Sequence, residues 1–207
     1  MLAKRIFDLV VSALALLVLS PAMCILALCV RLDSPGPAIF RHIRVGRFGR
    51  PFDVLKFRTM RHRPFANGLQ VTAANDVRIT NLGRMLRRTK LDELPQLINV
   101  LAGDMSLVGP RPEVPRFVAL YSEEDRREIL SVRPGLTDLA SIEFRNEQEL
   151  LAAAADPEWT YINEIMPHKV ALYRQYVRQQ NLLLDLKIVI RTSLVVLFER
   201  SERAANR

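Results

Sequence analysis

The amino-acid sequence predicts an α+β fold that is mostly helical, with an apolar N-terminal helix and a short β-hairpin. The prediction rests on 22 residues without a charge at 9–30, two alternating runs at 38–45 and 52–57, and several helical stretches nearer the C-terminal end. The chain has 207 residues, of which 49% are hydrophobic and 25% charged. This composition excludes a disordered, collagen-like or disulfide-scaffold protein, and the length is sufficient to bury a core.

The charge-free run at 9–30 is long enough to cross a bilayer, which needs about 20 apolar residues. It fits a signal peptide poorly, because it is too long and no small-residue cleavage site follows. A spanning helix and a re-entrant helix, which enters and leaves by one face, both remain open. Ser20 and Pro21 near the middle favour a kink or break. Basic residues flank both ends, and such flanks prefer the cytoplasm.

The elements after this run follow from breaker residues and periodicity. The cluster at 33–37 ends the membrane helix, which defines a membrane segment at 1–32 and one membrane-associated domain at 33–207. The hairpin strands at 38–45 and 52–57 join through Gly46 and Gly49. The further predictions are a polar loop at 61–76, helices at 82–88, 94–101, 116–131, 146–155 and 163–198, loops at 106–115 and from 133, and breaks at Pro157 and Pro167.

The apolar segment at 182–198 carries Asp185, Lys187 and Arg191. Charges within a second membrane span would be costly. The segment therefore predicts an amphipathic helix at the membrane interface, or a helix packed on the core.

Positive charge is concentrated in one part of the chain. The 30 Lys and Arg residues exceed the 22 acids, and residues 31–90 alone carry a net charge of +11. Such a patch suits a phosphate-rich substrate, an anionic membrane or a nucleic acid; the alternative is a solvated basic surface. Cys24 and Cys29 lie in the apolar run, and His42, His62 and His168 are too scattered for a zinc site.

Asp92 and Glu93 are the sharpest chemical feature. They follow a basic stretch and precede Leu94-Pro95, where a helix is expected to begin. One interpretation is a capping box in which Thr89 and Asp92 cap that helix. The other is a pair of hard oxygen ligands for a divalent cation, with one carboxylate able to attack a phosphorus centre.

Several cations are candidates for binding an anion. Lys56 and Arg58 fall on one face of the predicted second strand, where they repel each other unless an anion lies between them. Arg111 lies between Pro110 and Pro112, which restrict the backbone around a planar donor suited to phosphate. The alternatives are a solvated strand face and an incidental arginine in a turn.

Five motifs occur in a fixed order: DSPGP at 33–37, KFRTM at 56–60, LDELPQL at 91–97, GDMSLVGPRP at 103–112 and RPGLT at 133–137. In this order they strongly resemble the bacterial sugar transferases, the monotopic phosphoglycosyl transferases. The resemblance covers about residues 4–145, with a weaker echo at 184–187. Larger relatives carry further N-terminal membrane helices, and this chain resembles the minimal catalytic form.

The resemblance implies transfer of a sugar-1-phosphate from a UDP-sugar to polyprenyl phosphate, usually undecaprenyl phosphate, with release of UMP and a need for Mg²⁺. This step starts the assembly of O-antigen, capsule, exopolysaccharide or glycoprotein glycans. The implied location is the cytoplasmic face of the inner membrane, with a catalytic domain at 33–207. The implied partners are the UDP-sugar, the polyprenyl phosphate and membrane phospholipid, without nucleic acid.

The resemblance also implies residue roles. Asp92 matches the nucleophile and Glu93 its metal-binding partner, so the two are the expected Mg²⁺ ligands, and Ser20-Pro21 matches a helix-breaking pair that favours the re-entrant form. Because Asp92 must be ionised to attack, neighbouring cations are expected to keep its pKa low. The expected phosphate- and nucleotide-binding residues are Lys56, Arg58, Arg87, Arg88, Arg111 and Arg145.

The loop at 137–145 departs from the family pattern. Many members have glycines there, whereas this chain has Asp138 and Glu143 and retains Arg145. The loop is a candidate for contact with the sugar, whose identity the sequence does not give. His42 stands where a glutamine is expected.

Two other functions compete with the transferase. One is a non-catalytic module that binds acidic lipid or nucleic acid through residues 31–90, with strongly salt-dependent binding and no need for Asp92. The other is a phosphohydrolase in which water replaces the lipid acceptor.

Overall fold

The computed structural model describes residues 2–61 and 76–205 of the chain, so most of the predicted polar loop at 61–76, including His62, lies outside the described residues. The described part is mostly helical, as predicted, with two small sheets. The strands are β1 (Ile39–Val45), β2 (Pro51–Phe57), β3 (Ser106–Val108) and β4 (Gly135–Thr137). The helices are α1 (Leu2–Asp33), α2 (Asn81–Arg88), α3 (Gln96–Ala102), α4 (Pro115–Val118), α5 (Glu123–Ile129), α6 (Leu139–Glu143), α7 (Glu147–Ala153), α8 (Pro157–Thr160), α9 (Met166–Gln179) and α10 (Leu182–Ala205).

The predicted hairpin is confirmed. β1 and β2 pair antiparallel from Ile39 opposite Phe57 to Val45 opposite Pro51, and a short 3-10 turn at Arg47–Gly49 joins them. In β1 the apolar residues Ile39, Ile43 and Val45 share one face, which is the alternate spacing typical of a strand.

A second, parallel pair of strands was not predicted. β3 pairs with β4 in the segments expected to be loops. The backbones approach so closely that a Cβ on Gly135 would lie 2.1 Å from the amide nitrogen of Gly109. Only a residue without a side chain fits this crossing. The paired strands fix the chain just before Arg111 and just after Arg133.

Helix α1 continues through Ser20 and Pro21, so the expected interruption of the helix at this pair is absent from the backbone. Proline leaves the carbonyl four residues earlier without its helical donor. That carbonyl belongs to Leu17, and the Ser20 hydroxyl donates to it at 3.1 Å. The serine thus supplies the hydrogen bond that the proline removes. The helix is long and apolar enough to cross a membrane.

Both ends of α1 are attached to the same domain. Near its start, Lys4 Nζ donates to the carbonyl of Val108 in β3 and to Asp185 in α10. Near its end, Arg58 donates to the carbonyl of Val30. Between these points the helix leaves many large apolar side chains exposed, namely Val10, Leu14, Leu17, Val18, Ile25 and Leu28.

Several helix boundaries differ from the predictions. The expected helix at 116–131 is two short helices, α4 and α5, and the Ser122 hydroxyl caps the second by accepting from the amide of Asp125. The expected helix at 163–198 divides between α9 and α10, where Asn181 accepts from the amide of Leu184. Pro157 lies in the first turn of α8, where a proline can start a helix. Pro167 follows a π-helical turn at Tyr161–Ile165 that joins α8 to α9, so the helical run continues through it.

Candidate active site

The site is built on the turn between α2 and α3. Lys90 has a left-handed backbone (φ 56°), which reverses the chain after α2 and starts a 3-10 turn at Leu91–Glu93. The predicted capping box does not form, because the Thr89 hydroxyl donates back to the carbonyls of Met85 and Leu86 at the end of α2. The two carboxylates are therefore held by the turn itself, at the edge of β2.

Glu93 is tightly paired. Its carboxylate accepts from Lys56 Nζ at 2.7 Å and from both terminal nitrogens of Arg111, one of them at 3.3 Å. Burial alone would raise the pKa of Glu93, but Arg111 and Lys56 outweigh it and hold this pKa well below its usual value. The Glu93 carboxylate is thus ionised at neutral pH, and its charge in turn raises the pKa of Arg111.

Asp92 differs from its neighbour in that, among the described residues, its carboxylate makes no hydrogen bond and no ion pair. It is 7% exposed. Burial and the adjacent Glu93 carboxylate raise its pKa, against the opposing effect of Lys56, Arg87 and Lys90. The expectation that cations keep this pKa low is therefore wrong, because the sequence showed the charges but not the burial.

Arg87 reaches the site from the last turn of α2. Its Nε donates to the Thr59 hydroxyl at 2.8 Å. The helix lies against the end of β2 so closely that a Cβ on Gly83 would be 2.0 Å from the Thr59 carbonyl oxygen. Burial lowers the pKa of Arg87. Asp92 is the nearby charge that raises this pKa most, but burial has the larger effect.

Lys56, Arg87 and Arg111 are therefore brought to the two carboxylates, whereas three other predicted cations are elsewhere. Arg58 lies beyond the end of β2, buried, and donates to the carbonyls of Val30, Ser34 and Pro35 at the end of α1. Arg88 and Arg145 are exposed. Within the described residues, neither takes part in the hydrogen bonds that fix Glu93.

A buried polar network behind Arg111 was missed by sequence reasoning. Glu113 accepts from Tyr161 at 2.6 Å and lies 3.5 Å from Lys169 and 3.6 Å from Arg44. Arg44 also donates to the Pro112 carbonyl at 3.4 Å. The one sequence feature that could have indicated this network is the charged residue Glu113, directly after Pro110-Arg111-Pro112.

The structure shows what Asp138 does in the loop at 137–145, where the sequence departs from the family pattern. Its carboxylate is buried and caps α6 by accepting from the amide and hydroxyl of Ser141. Glu143 is exposed and lies 3.2 Å from His168 Nε2. Asp138 thus has a local role in the fold.

The carboxylate pair fits a magnesium ion of the kind that substrate phosphates help to bind. Within 2–61 and 76–205, no group of three or more His, Cys, Asp or Glu side chains is placed to hold a metal. Mg²⁺ commonly uses only one or two carboxylates together with phosphate oxygens and water. Asp92 and Glu93, next to cations suited to a diphosphate, supply such a donor set.

The chain is similar in sequence to several bacterial sugar-phosphate transferases. Over 201 residues the chain is 42% identical to the "UDP-glucose:undecaprenyl-phosphate glucose-1-phosphate transferase" of Escherichia coli K12, covering 92% of this chain and 39% of that protein. A protein of the same description from Caulobacter vibrioides is 40% identical, covering 92% of this chain and 68% of the relative. The "UDP-N-acetylgalactosamine-undecaprenyl-phosphate N-acetylgalactosaminephosphotransferase" of Aeromonas hydrophila is 36% identical, covering 94% and 43%.

The chain spans about two fifths of the length of several of these relatives. The profile described as "Bacterial sugar transferase" matches residues 1–199, nearly the whole chain. With the ordered motifs and the Asp92–Glu93 turn, this match establishes that the chain belongs to the bacterial sugar transferase family.

Proposed function

We propose that this protein transfers a sugar-1-phosphate from a UDP-sugar to polyprenyl phosphate, releases UMP and so starts the assembly of a bacterial glycan. The observation that carries the proposal is the contrast between the two adjacent carboxylates. Glu93 is neutralised by Lys56 and Arg111, while the carboxylate of Asp92 has no partner among the described residues. A buried carboxylate without a partner, beside cations suited to phosphate, is a nucleophile ready for a phosphorus centre.

The proposed reaction has two steps at one phosphorus atom. An Asp92 carboxylate oxygen attacks the β-phosphorus of the donor, the bond to the bridging oxygen breaks, and its electron pair leaves with UMP. The phosphosugar is then held on Asp92 as an acyl phosphate. A polyprenyl phosphate oxygen attacks the same phosphorus, the bond to Asp92 breaks, and the carboxylate is restored.

The surrounding residues have separate tasks in this scheme. Lys56, Arg87 and Arg111 offset the negative charge of the diphosphate and of the departing UMP. Glu93 holds Lys56 and Arg111 in place beside the nucleophile. Asp92 and Glu93 are the proposed magnesium ligands, and the bound ion would add charge neutralisation at the diphosphate.

The attachment of α1 supports a monotopic arrangement at the cytoplasmic face of the inner membrane. Residues 4 and 30, both bound to the same domain, would lie about 39 Å apart in a straight helix at ~1.5 Å per residue. A spanning helix would put these points on opposite sides of the bilayer. A helix that does not cross the bilayer, as in the proposed re-entrant form, keeps both points on the domain's side, in contact with phospholipid.

Helix α10 supports the same orientation. Leu183, Leu186, Ile190 and Leu194 repeat at helical spacing and are exposed. Asp185, the charge that argued against a span, is buried against Lys4. We propose that this apolar stripe lies at the membrane interface, as expected for an amphipathic helix.

The function is tested by UMP release from a panel of UDP-sugars with Mg²⁺ and undecaprenyl phosphate in detergent. Wild type is compared with Asp92→Asn and with Asp53→Asn, an exposed carboxylate on β2 that serves as the matched control. We expect lipid-dependent release from wild type and Asp53→Asn, and a loss of more than about 10³-fold in Asp92→Asn. Release of free sugar phosphate without lipid would favour the phosphohydrolase, and salt-sensitive lipid binding without turnover would favour the binding module.

Two further measurements test the finer points. Intact-protein mass spectrometry without acceptor lipid should show wild type, but not Asp92→Asn, heavier by one sugar phosphate.

For topology, Leu2→Cys and Leu32→Cys are made with Cys24 and Cys29 replaced by serine. In inside-out vesicles both positions should react with an impermeant maleimide, whereas reaction of only one would indicate a spanning helix.

A further inference from the structure

A strip on β1 beside Lys56, in which Phe40 is exposed and His42 and Arg44 are half-buried, is not used by the chemistry proposed above. The register of the hairpin puts Phe40 directly opposite Lys56, and His42 and Arg44 follow on the same face. Lys56 contacts Glu93 at one end of this strip, and Arg44 contacts the Pro112 carbonyl, next to Arg111, at the other. The strip therefore borders the anion site along its whole length.

His42 presents a neutral hydrogen-bond donor on this strip. Its Nδ1 lies 3.3 Å from Arg44 Nη2, and because a guanidinium can only donate, Nδ1 accepts. The ring proton is therefore on Nε2, for which the described residues provide no partner. Burial, Arg44 and Lys56 lower the pKa of His42 to about 4, so the ring stays neutral at physiological pH.

Phe40 adds an aromatic surface next to this donor. Its side chain is 43% exposed, and its ring centroid lies 5.7 Å from that of His42, with the planes tilted by 54°. An exposed aromatic ring and a single neutral donor, adjoining a cluster of cations, match the neutral end of a molecule whose other end is a phosphate. A flat heterocycle with carbonyl acceptors satisfies both groups.

We infer that Phe40 and His42 bind the uracil of the donor nucleotide, with the base against the Phe40 ring and a uracil carbonyl accepting from His42 Nε2. The inference rests on the proposed function, because it takes the donor to be a UDP-sugar. The leaving UMP departs on the side of the phosphorus opposite Asp92, in line with the attack. The nucleoside therefore continues beyond Lys56 and Arg111, and the Phe40–His42 strip is the surface that adjoins those cations.

The test measures UMP binding directly by calorimetry, with inhibition by UMP and by the sugar-1-phosphate as a second readout. The variants are Phe40→Ala, His42→Ala and His42→Gln, and the control is Ile43→Ala, which removes an exposed side chain from the opposite face of the same strand. We expect UMP affinity to fall about tenfold in both alanine variants, because base stacking and a buried hydrogen bond are each worth that much. His42→Gln, which keeps a neutral donor, and Ile43→Ala should stay within about twofold of wild type.

The outcomes separate this inference from the function on which it rests. Wild-type turnover with UMP affinity unchanged in Phe40→Ala and His42→Ala would overturn the uracil assignment and leave the transferase standing. Weaker inhibition by the sugar-1-phosphate alone would assign the strip to the sugar instead. If wild type binds no UMP and releases none from any donor, the proposed function itself fails.

Discussion

Lys4 Nζ lies 2.6 Å from Asp185 Oδ2, which joins the first turn of α1 to α10 across 181 positions of sequence. The pair does not stand alone. Tyr176 donates to the other oxygen of Asp185 at 2.7 Å, and both Lys4 and Tyr176 donate to the Val108 carbonyl. Helices α1, α9 and α10 and strand β3 therefore meet at one polar contact, three residues before Arg111.

Breaking this contact from one side should be strongly destabilising. Lys4→Met leaves Asp185, whose side chain is fully buried, without its cation, and such losses cost about 3–5 kcal/mol. Asp185→Asn should cost less, because it leaves no buried charge, its amide oxygen can still accept from Lys4, and its amide nitrogen can donate to the Tyr176 hydroxyl. In thermal unfolding in detergent, wild type should have the highest melting temperature, Asp185→Asn a lower one and Lys4→Met the lowest. A lower melting temperature for Asp185→Asn than for Lys4→Met would contradict this account.

The rate of the first chemical step should rise with pH. The proposed attack requires ionised Asp92, and because burial and Glu93 raise the Asp92 pKa, ionisation is complete only above the usual carboxyl range. The ratio kcat/KM, which reports the free enzyme, should therefore increase with pH through a midpoint above an ordinary aspartate pKa. Lys56 lowers that pKa, so Lys56→Met should move the midpoint upward.

A matched variant separates this effect from a general change in charge. Arg84→Met removes an exposed cation from α2 without touching Glu93 and should leave the midpoint in place. A flat profile in wild type between pH 4 and 8 (about the range where a raised carboxyl pKa falls) would contradict the direction given for Asp92.

Arg111→Lys should impair turnover even though it keeps the charge. The guanidinium contacts both oxygens of Glu93, and the single ammonium of lysine cannot reproduce this forked geometry. We expect kcat/KM to fall by about 10–100-fold, roughly the value of one or two charge-assisted hydrogen bonds. Steady-state kinetics on protein with an unchanged melting temperature would check this, and full activity would show that charge alone suffices.

Arg58→Lys should affect stability rather than substrate binding. Arg58 donates to three carbonyls at the end of α1, and a lysine would lose most of these bonds at about 1.5–3 kcal/mol. The melting temperature should fall by several degrees, on the order of 2–4 °C per kcal/mol. The KM for the UDP-sugar should stay within about twofold of the wild-type value. A large rise in KM would indicate that Arg58 takes part in substrate binding.

The difference between Lys56 and Arg58 shows where sequence reasoning stops. Alternation correctly predicted the strand on which Lys56 lies, but not the contact between Lys56 and Glu93. It also placed Arg58 on the same face, but β2 ends at Phe57, and beyond a strand the period of two no longer holds. The carbonyls that hold Arg58 belong to Val30, Ser34 and Pro35, at and just beyond the end of α1, and no local pattern encodes contacts at separations of 23 to 28 residues.

The other unpredicted features share this cause. β3 and β4 have three residues each, too few for a period, and their partners are 29 positions apart. Glu113 meets Arg44, Tyr161 and Lys169 from separate elements. The position of Asp92 and Glu93 between two helices, by contrast, followed from residues adjacent in sequence, although the 3-10 turn that holds them did not.

The Ser20 hydroxyl that serves the Leu17 carbonyl has a consequence for how α1 meets its surroundings. A proline in a lipid-embedded helix usually needs a neighbouring helix or a trapped water to serve the exposed carbonyl. Here the donor comes from the residue directly before the proline. The exposed face of α1 around Pro21 can therefore be covered by acyl chains, without a companion helix and without water beside the proline, while Leu16, Leu19 and Met23 pack against the domain.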